Sequence, residues 1–254
     1  MGLADAARLA VGTLTVLPVG PVTRVDRATA GAAMLLAPVA VLPLALAAAA
    51  AAALVRVLGW PALVGGLVFV AVLALGTRAL HLDGLADTVD GLGSGWDRDK
   101  ALAVMRRGDV GPMGVVALVL VLAAQVGCAA ALLRDGWGAV TLAILVCASR
   151  AALALVCRVG VTAARPDGLG AAVAGSVPRW AAAAVWVAFG IVLALLSEWR
   201  GQPWWLGVAA ALVALVVVSA LVRRCVRRLG GVTGDVMGAA VEAAFTVLVV
   251  AAAR

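Results

Sequence analysis

Acidic residues recur at helical spacing in the segment HLDGLADTVDG, which covers residues 81–91. Asp83, Asp87 and Asp90 are separated by four and then three residues, so at about 100° per residue they share one helical face. Three carboxylates on one face repel one another and favour a bound cation. Oxygen ligands of this kind suit Mg²⁺, which commonly links carboxylates to substrate phosphates. A solvated acidic face is the alternative, but it does not explain the helical spacing.

A second segment, GGVTGDVMGAAVE at residues 230–242, combines acids with glycines. Asp235 and Glu242 are seven residues apart and share a helical face, and we predict that Asp235 joins the metal site. Glu242 lies within an apolar stretch, where an ionisable group is costly and is by default functional or paired. The glycines either let backbone amides approach a phosphate or form a plain turn. Substrate binding is predicted for Gly231, Thr233, Gly234 and Glu242.

Two further candidates are a histidine and a deeply placed arginine. Arg150 lies near the end of an apolar stretch, where it snorkels to the surface, pairs with an interior carboxylate, or clamps a phosphate through its planar guanidinium. His81 is the single histidine of the chain and is a candidate general base or phosphate contact, although a helix-end residue without a role fits equally well. The predicted catalytic residues are His81, Asp83 and Arg150.

Arginines close to glycines or to one another predict phosphate contacts. The loop ARPDGLG at residues 164–170 joins a rigid proline to flexible glycines, and we predict that Arg165, Gly168 and Gly170 bind substrate. Arg227 belongs to a cluster of four arginines within residues 223–228. That cluster favours anionic lipid headgroups, with substrate phosphates as the second possibility, and Arg227 is included among the predicted substrate-binding residues.

Membrane helices must position these residues. The chain has 254 residues, 65% of them hydrophobic and 13% charged, with a mean hydropathy of +1.14. A soluble domain has about 45–50% apolar and about 25% charged residues, so the composition excludes a cytosolic enzyme. Because a spanning helix needs about 20 apolar residues, and the apolar stretches are continuous, we predict an all-α, polytopic membrane helical bundle with six or seven transmembrane helices. A β-barrel would require alternating residues.

The predicted bundle begins with an interfacial helix within residues 1–28. Spans are predicted at about residues 30–57, 61–80, 112–133, 138–157, 180–196, 203–222 and 236–253. Pro38 and Pro43 are expected to kink the first span. We treat residues 1–254 as a single membrane-embedded domain.

Basic residues mark alternate loops of this layout. The N-terminal segment and the loops before the third, fifth and seventh spans hold most of the arginines, whereas each opposite loop holds one. By the positive-inside rule the basic loops and the N-terminus are cytoplasmic, which places the active site on that face in loops at about 81–111, 158–179 and 223–235. The net charge of +7 thus reflects topology, and no nucleic-acid partner is expected. Acids, glycines and arginines on one face indicate metal-assisted transfer of a phosphate-bearing group.

Together these motifs resemble the cobalamin synthase family, also called adenosylcobinamide-GDP ribazoletransferases. The resemblance covers nearly the whole chain and rests on LTVLPV at 14–19, HLDGLADTVDG at 81–91, the loop at 104–111, the Ser-Arg pair at 149–150, ARPDGLG at 164–170 and LGGVTGDVMGAAVE at 229–242. The loop at 105–111 departs from many relatives in the order of its charges. No role is therefore transferred to Arg107 or Asp109.

The resemblance implies a multi-pass enzyme of the bacterial inner membrane that acts in vitamin B12 assembly. It implies that α-ribazole, or its 5'-phosphate, is joined to adenosylcobinamide-GDP with release of GMP, and that Mg²⁺ is the cofactor. Expected partners are the corrinoid and ribazole substrates, membrane lipid and other enzymes of nucleotide-loop assembly.

Two alternatives stay open at this point. One is a transporter with a cytoplasmic cation site, although its polar groups should lie near midspan in several helices. The other is a CDP-alcohol phosphatidyltransferase-like enzyme. The motif of that family needs an arginine soon after its Asp-Gly pair, and no such arginine follows Asp83 and Gly84.

Overall fold

The computed structural model describes residues 2–23 and 25–254, and this part of the chain is helical with short loops. Arg24, part of the basic N-terminal segment, lies outside the described residues. The helices are α1 (Leu3–Leu14), α2 (Arg27–Ala40), α3 (Leu42–Val57), α4 (Ala62–Gly76), α5 (Leu80–Gly93), α6 (Arg98–Val104), α7 (Pro112–Leu132), α8 (Gly138–Ser149), α9 (Ala151–Val156), α10 (Gly168–Val173), α11 (Arg179–Trp199), α12 (Trp204–Leu229) and α13 (Gly234–Ala252).

Within residues 2–23 and 25–254, six helical segments are long and apolar enough to cross a membrane: α2 with α3, α7, α8 with α9, α11, α12 and α13. The pair α4 and α5 forms a seventh, bent segment with an angle of 87° between the two helices. Since α4 is the apolar member and α5 runs almost perpendicular to it, α4 provides the crossing and α5 lies along one end of the bundle, outside the spans. The predicted membrane bundle of six or seven transmembrane helices is confirmed.

Two spans are interrupted within the bundle. The first breaks at Val41, between Pro38 and Pro43, as those prolines predict. The fourth predicted span breaks at Arg150, which joins α8 to α9. A buried arginine therefore occupies a helix interruption, which periodicity alone did not predict.

The central helix is α13, which packs against α5, α7, α8, α9 and α12. Glycines allow α5 to lie against it with almost no space between the backbones. A Cβ added to Gly84 would lie 2.6 Å from the carbonyl oxygen of Asp235, and one added to Gly238 would lie 3.0 Å from the Cα of His81. These contacts hold the two acid-containing motifs side by side.

The end of the bundle that includes α5, α6 and the loops at 157–167 and 230–233 is called the basic face below. Its loops are joined by backbone hydrogen bonds, in which the amide of Ala164 donates to Val232 and the amide of Val232 donates to Thr162, both at 2.9 Å. The guanidinium of Arg98 donates to the carbonyl oxygens of Leu229 and Ala164, each at 2.8 Å. Three separate stretches of sequence are thus fixed to one another.

The N-terminal helix α1 packs on α2 beside the bend between α4 and α5. Arg78 in that bend donates to the carbonyl oxygens of Gly12 and Thr15, each at 3.0 Å. Arg78 and its neighbour Ala79 both have φ of 55°, a left-handed conformation that costs free energy in residues other than glycine. The bend that places His81 is therefore held by contacts with α1.

Candidate active site

A cleft of about 460 Å³ opens at the basic face. Its walls come from the ends of α1, α5 and α13, from α2 and α9, and from the loops that precede α7 and α10. The lining residues are Thr13, Leu14, Met34, Leu80, His81, Asp83, Arg106, Leu153, Arg165, Asp167, Gly168, Leu169, Gly170, Val232, Thr233, Gly234, Asp235, Met237 and Gly238. Eight of the predicted site residues belong to this set: His81, Asp83, Arg165, Gly168, Gly170, Thr233, Gly234 and Asp235.

The first turn of α5 supplies His81 and Asp83. The imidazole of His81 is buried, whereas the carboxylate of Asp83 is exposed in the cleft. Asp87 lies one turn further along the same helix. Partial burial, followed by the charges of Asp83, Asp235 and Asp90, raises the pKa of Asp87 to about 6. Burial is the largest cause of the shift, and the nearby carboxylates add to it, whereas the charge of Arg165 opposes it.

Asp235 reaches the cleft from the first turn of α13. Thr233 caps this helix, because its hydroxyl oxygen accepts a hydrogen bond from the amide of Val236 at 3.3 Å. The same hydroxyl lies 3.1 Å from an oxygen of Asp235 and donates to it. The cap therefore fixes the Asp235 carboxylate, while the backbone of Asp235 is in close contact with Gly84 of α5.

Arginines and glycines of the loop at 165–170 form the opposite wall. Arg165 donates to the carbonyl oxygen of Leu102 at 2.9 Å and lies close enough to Asp87 and Asp235 to interact with both charges. At the mouth, Arg106 forms an exposed ion pair of 3.2 Å with Asp167. A Cβ added to Gly170 would lie 2.9 Å from the carbonyl oxygen of Val232, so this position requires glycine. Positive groups here face the acids across the cleft.

The structure places Asp90, a predicted metal ligand, outside the lining of the cleft. Both of its carboxylate oxygens accept hydrogen bonds from the start of α7, from the amides of Gly111 at 2.7 Å and Gly114 at 2.9 Å. The side chain is buried between α5 and α7, and it does not line the cleft. Asp90 therefore stabilises a helix N-terminus, where a negative charge is favoured.

Asp83, Asp87 and Asp235 suit Mg²⁺ better than they suit a metal ion whose ligands all come from the protein. Over residues 2–23 and 25–254, no three His, Cys, Asp or Glu side chains are arranged to hold a metal ion by themselves. Mg²⁺ usually takes only one or two carboxylates and completes its shell with water and substrate phosphates. Asp83 and Asp235 in the cleft, with Asp87 beside them, match that donor set.

Arg150, a predicted catalytic residue, and Glu242, a predicted substrate-binding residue, do not line the cleft. Both are buried, and with His81 and Gln125 they line a separate internal cavity of about 20 Å³. Gln125 donates to Glu242 at 2.7 Å, while Arg150 donates to the hydroxyl of Ser149 at 2.8 Å and interacts with the charge of Glu242. The guanidinium of Arg150 also donates to the carbonyl oxygen of Val146 at 3.0 Å, so its described hydrogen bonds are made within its own helical segment, with the charge of Glu242 nearby.

Gly231 and Arg227 are likewise placed away from the cleft. A Cβ on Gly231 would lie 2.4 Å from the carbonyl oxygen of Thr162, so the glycine is required for loop packing. Arg227 is exposed and lines a different cavity together with Arg158 and Arg223. Neither residue lines the cleft, and their role in substrate binding stays a prediction.

Comparison of the sequence with known proteins identifies the family of the chain. The profile of the family described as cobalamin-5-phosphate synthase matches residues 6–253. The chain belongs to this family. It is 49% identical to an adenosylcobinamide-GDP ribazoletransferase of Nocardioides sp. over 97% of both chains. Proteins of the same name from Frankia casuarinae and Corynebacterium efficiens are 41% and 34% identical, over 96% and 98% of this chain and 94% and 90% of theirs. No solved structure matches.

In this member of the cobalamin-5-phosphate synthase family, sequence reasoning missed several lining residues. They are Thr13, Arg106, Asp167, Met237 and Gly238. Asp167 and Gly238 lie inside the motifs at 164–170 and 229–242. Their closeness in the sequence to Arg165 and Asp235 could therefore have predicted that they line the cleft. Thr13 gave none, because the contact of α1 with the bend before α5 is a tertiary feature.

Proposed function

We propose that this chain is an Mg²⁺-dependent adenosylcobinamide-GDP ribazoletransferase that acts in the cleft. The observation that carries the proposal is the convergence of three motifs, because the cleft joins His81 and Asp83 to Asp235 and to the loop at 165–170. Similarity over nearly the full length to proteins of that name supports the same activity. Carboxylates opposite arginines suit a substrate that carries a diphosphate.

In the proposed reaction, a ribose hydroxyl of α-ribazole or its 5'-phosphate attacks the phosphorus atom that carries cobinamide. A new bond forms between that phosphorus and the ribose oxygen. The bond from the same phosphorus to the bridging oxygen breaks, and GMP leaves with that oxygen. The hydroxyl proton passes to a base, for which His81 and Asp83 on the first turn of α5 are the candidates. Such a transfer depends mainly on positioning and on charge stabilisation.

The charged residues of the cleft divide this task. Arg165 lies where its guanidinium can pair with a diphosphate oxygen, and planar guanidinium groups suit phosphate recognition. Arg106 and Asp167 at the mouth are positioned to contact the substrate as it enters. Asp83, Asp87 and Asp235 would hold Mg²⁺, which supplies positive charge against the diphosphate.

The membrane context is also part of the proposal. We infer that the protein lies in a bacterial inner membrane with its N-terminus and basic face in the cytoplasm; the positive-inside rule supports this orientation, and the bacterial relatives support this membrane. Trp96 is exposed on this face, and the guanidinium carbons of Arg228 and Arg224 lie 4.3 and 5.7 Å from its ring centre. Anionic lipid headgroups suit these two cations, of which Arg224 is exposed and Arg228 is half-buried. Cysteines introduced at Arg134 and Ser94 should be labelled from outside intact cells only at Arg134, and the reverse pattern would overturn this orientation.

An assay in proteoliposomes tests the proposed activity against transport. Purified protein is supplied with adenosylcobinamide-GDP, α-ribazole and Mg²⁺, and both GMP release and corrinoid flux are measured. The proposal expects GMP release that depends on α-ribazole, and Asp83→Asn should abolish it while Asp99→Asn, an exposed change on α6, should not. Corrinoid flux without GMP release would instead support a transporter.

A further inference from the structure

The inner end of the cleft differs in chemistry from its mouth. Five buried apolar side chains line the cleft, and the four that come from helices are called the apolar floor: Leu14 from α1, Met34 from α2, Leu153 from α9 and Met237 from α13. Each of them is at most 3% exposed. The charged lining residues instead come from the loops and from the first turns of α5 and α13. The buried part of the lining is therefore mainly apolar, with His81 and Thr233 as its buried polar side chains.

The proposed substrates bring two aromatic bases to the enzyme. Guanine, in the GDP part of the activated corrinoid, has several hydrogen-bond donors and acceptors along its edge. The dimethylbenzimidazole of ribazole has one ring nitrogen free to accept a hydrogen bond, and it carries two methyl groups. Burial of a polar edge without partners is costly, and the four floor side chains offer no oxygen or nitrogen. The floor therefore matches the benzimidazole and not the guanine.

We propose that the apolar floor is the subsite for the methylated benzimidazole of ribazole, an inference that rests on the proposed function. Methionine side chains adapt to a flat ring and make favourable sulfur contacts with aromatic rings. Thr13 at the edge of the floor supplies one hydroxyl for the free ring nitrogen. This orientation directs the ribose toward Asp83 and Asp235, and it leaves the guanosine at the mouth near Arg106.

Ribazole analogues that differ only in the two methyl groups provide the first test. The α-ribosides of benzimidazole, 5-methylbenzimidazole and 5,6-dimethylbenzimidazole are compared as acceptors with the wild-type protein. Burial of each methyl group should raise kcat/KM about fourfold, so the dimethyl compound should exceed the unmethylated one by about 15-fold. The KM for adenosylcobinamide-GDP should be the same with each acceptor.

Substitution of the floor provides the second test. Leu153→Ala should reduce the preference for the dimethyl compound to less than about fourfold, because the added space no longer packs the methyl groups. The readout is a ratio measured on one preparation, so a lower yield of folded protein does not alter it. Leu142→Ala is the matched control, since Leu142 is fully buried in the neighbouring helix α8 and does not line the cleft. If Leu153→Ala does not fold, Met34→Leu replaces it as the floor variant, because this change conserves side-chain volume.

The outcomes separate this inference from the proposed function. Methyl preference in the wild type that falls in Leu153→Ala and not in Leu142→Ala supports the inference. Equal rates with all three acceptors, or a KM for adenosylcobinamide-GDP that rises in Leu153→Ala, would overturn it and assign the floor to the other substrate. Absence of ribazole-dependent GMP release from the wild type would contradict the proposed function itself.

Discussion

Gly84 and Asp235 are in backbone contact, since a Cβ on Gly84 would lie 2.6 Å from the carbonyl oxygen of Asp235. This contact brings together two motifs that are about 150 residues apart in the sequence and positions Asp83 opposite Asp235. A side chain here cannot be accommodated by a rotamer change, because the obstructing atom belongs to the backbone. The geometry of the acids therefore depends on a residue that has no functional group.

Gly84→Ala should separate α5 from α13 and lower kcat/KM at least 100-fold, since misplacement of reacting groups by about 1 Å has effects of that order. Alanine is a better helix former than glycine, so the loss would not come from helix propensity. Gly127→Ala on α7 is the control, because a Cβ there meets no atom within 4 Å. The measurement is the steady-state kcat/KM of both variants. Equal values in the two would show that the close contact between α5 and α13 is dispensable.

Asp90→Ala should affect stability and not metal affinity. Loss of the carboxylate leaves the amides of Gly111 and Gly114 without their partner and should cost about 1–2 kcal/mol, as for other helix N-caps. Thermal unfolding in detergent, together with activity at varied Mg²⁺, measures both effects. A lower Tm with an unchanged half-saturating Mg²⁺ concentration is expected. An unchanged Tm with a raised Mg²⁺ requirement would restore Asp90 to the metal site.

Arg150 and Glu242 should behave as a buried charge pair. Arg150→Met leaves the carboxylate of Glu242 without its positive neighbour, which typically costs about 3–5 kcal/mol. The double variant Arg150→Met with Glu242→Gln should recover part of that loss, because neither charge remains. The comparison is made by unfolding of both purified variants. A stable Arg150→Met protein whose KM for adenosylcobinamide-GDP is raised would support a phosphate clamp instead.

The pKa of Asp87, raised to about 6, predicts how Mg²⁺ affects stability at different pH. Between about pH 4 and 6 the native state binds more protons at this carboxyl than the unfolded chain, so metal-free stability falls as pH rises through that window. Mg²⁺ binds the ionised form, so it should raise Tm more at pH 7 than at pH 5. Asp87→Asn should remove most of that difference, and a Mg²⁺ effect independent of pH in the wild type would argue against the role of Asp87.

The fold and part of the site could be predicted from sequence for a physical reason. Long apolar stretches specify spanning helices, and helical spacing placed Asp83 and Asp87 on one side of α5. Spacing does not reveal which neighbouring helix covers a face, so it could not distinguish exposed Asp83 from Asp90, which is covered by the start of α7. The same limit applies to Arg150, because its partner Glu242 is distant in the sequence.

Product analysis of the wild type and two aspartate variants tests whether the reaction takes place in this cleft. Wild-type protein, Asp235→Asn and the surface control Asp99→Asn are each incubated with adenosylcobinamide-GDP, α-ribazole and Mg²⁺, and the corrinoid product and GMP are quantified by mass spectrometry. One GMP is expected for each ribazole-containing corrinoid formed by the wild type and the control, and no product is expected from Asp235→Asn. Equal product from Asp235→Asn and the wild type would contradict the placement of the reaction in this cleft.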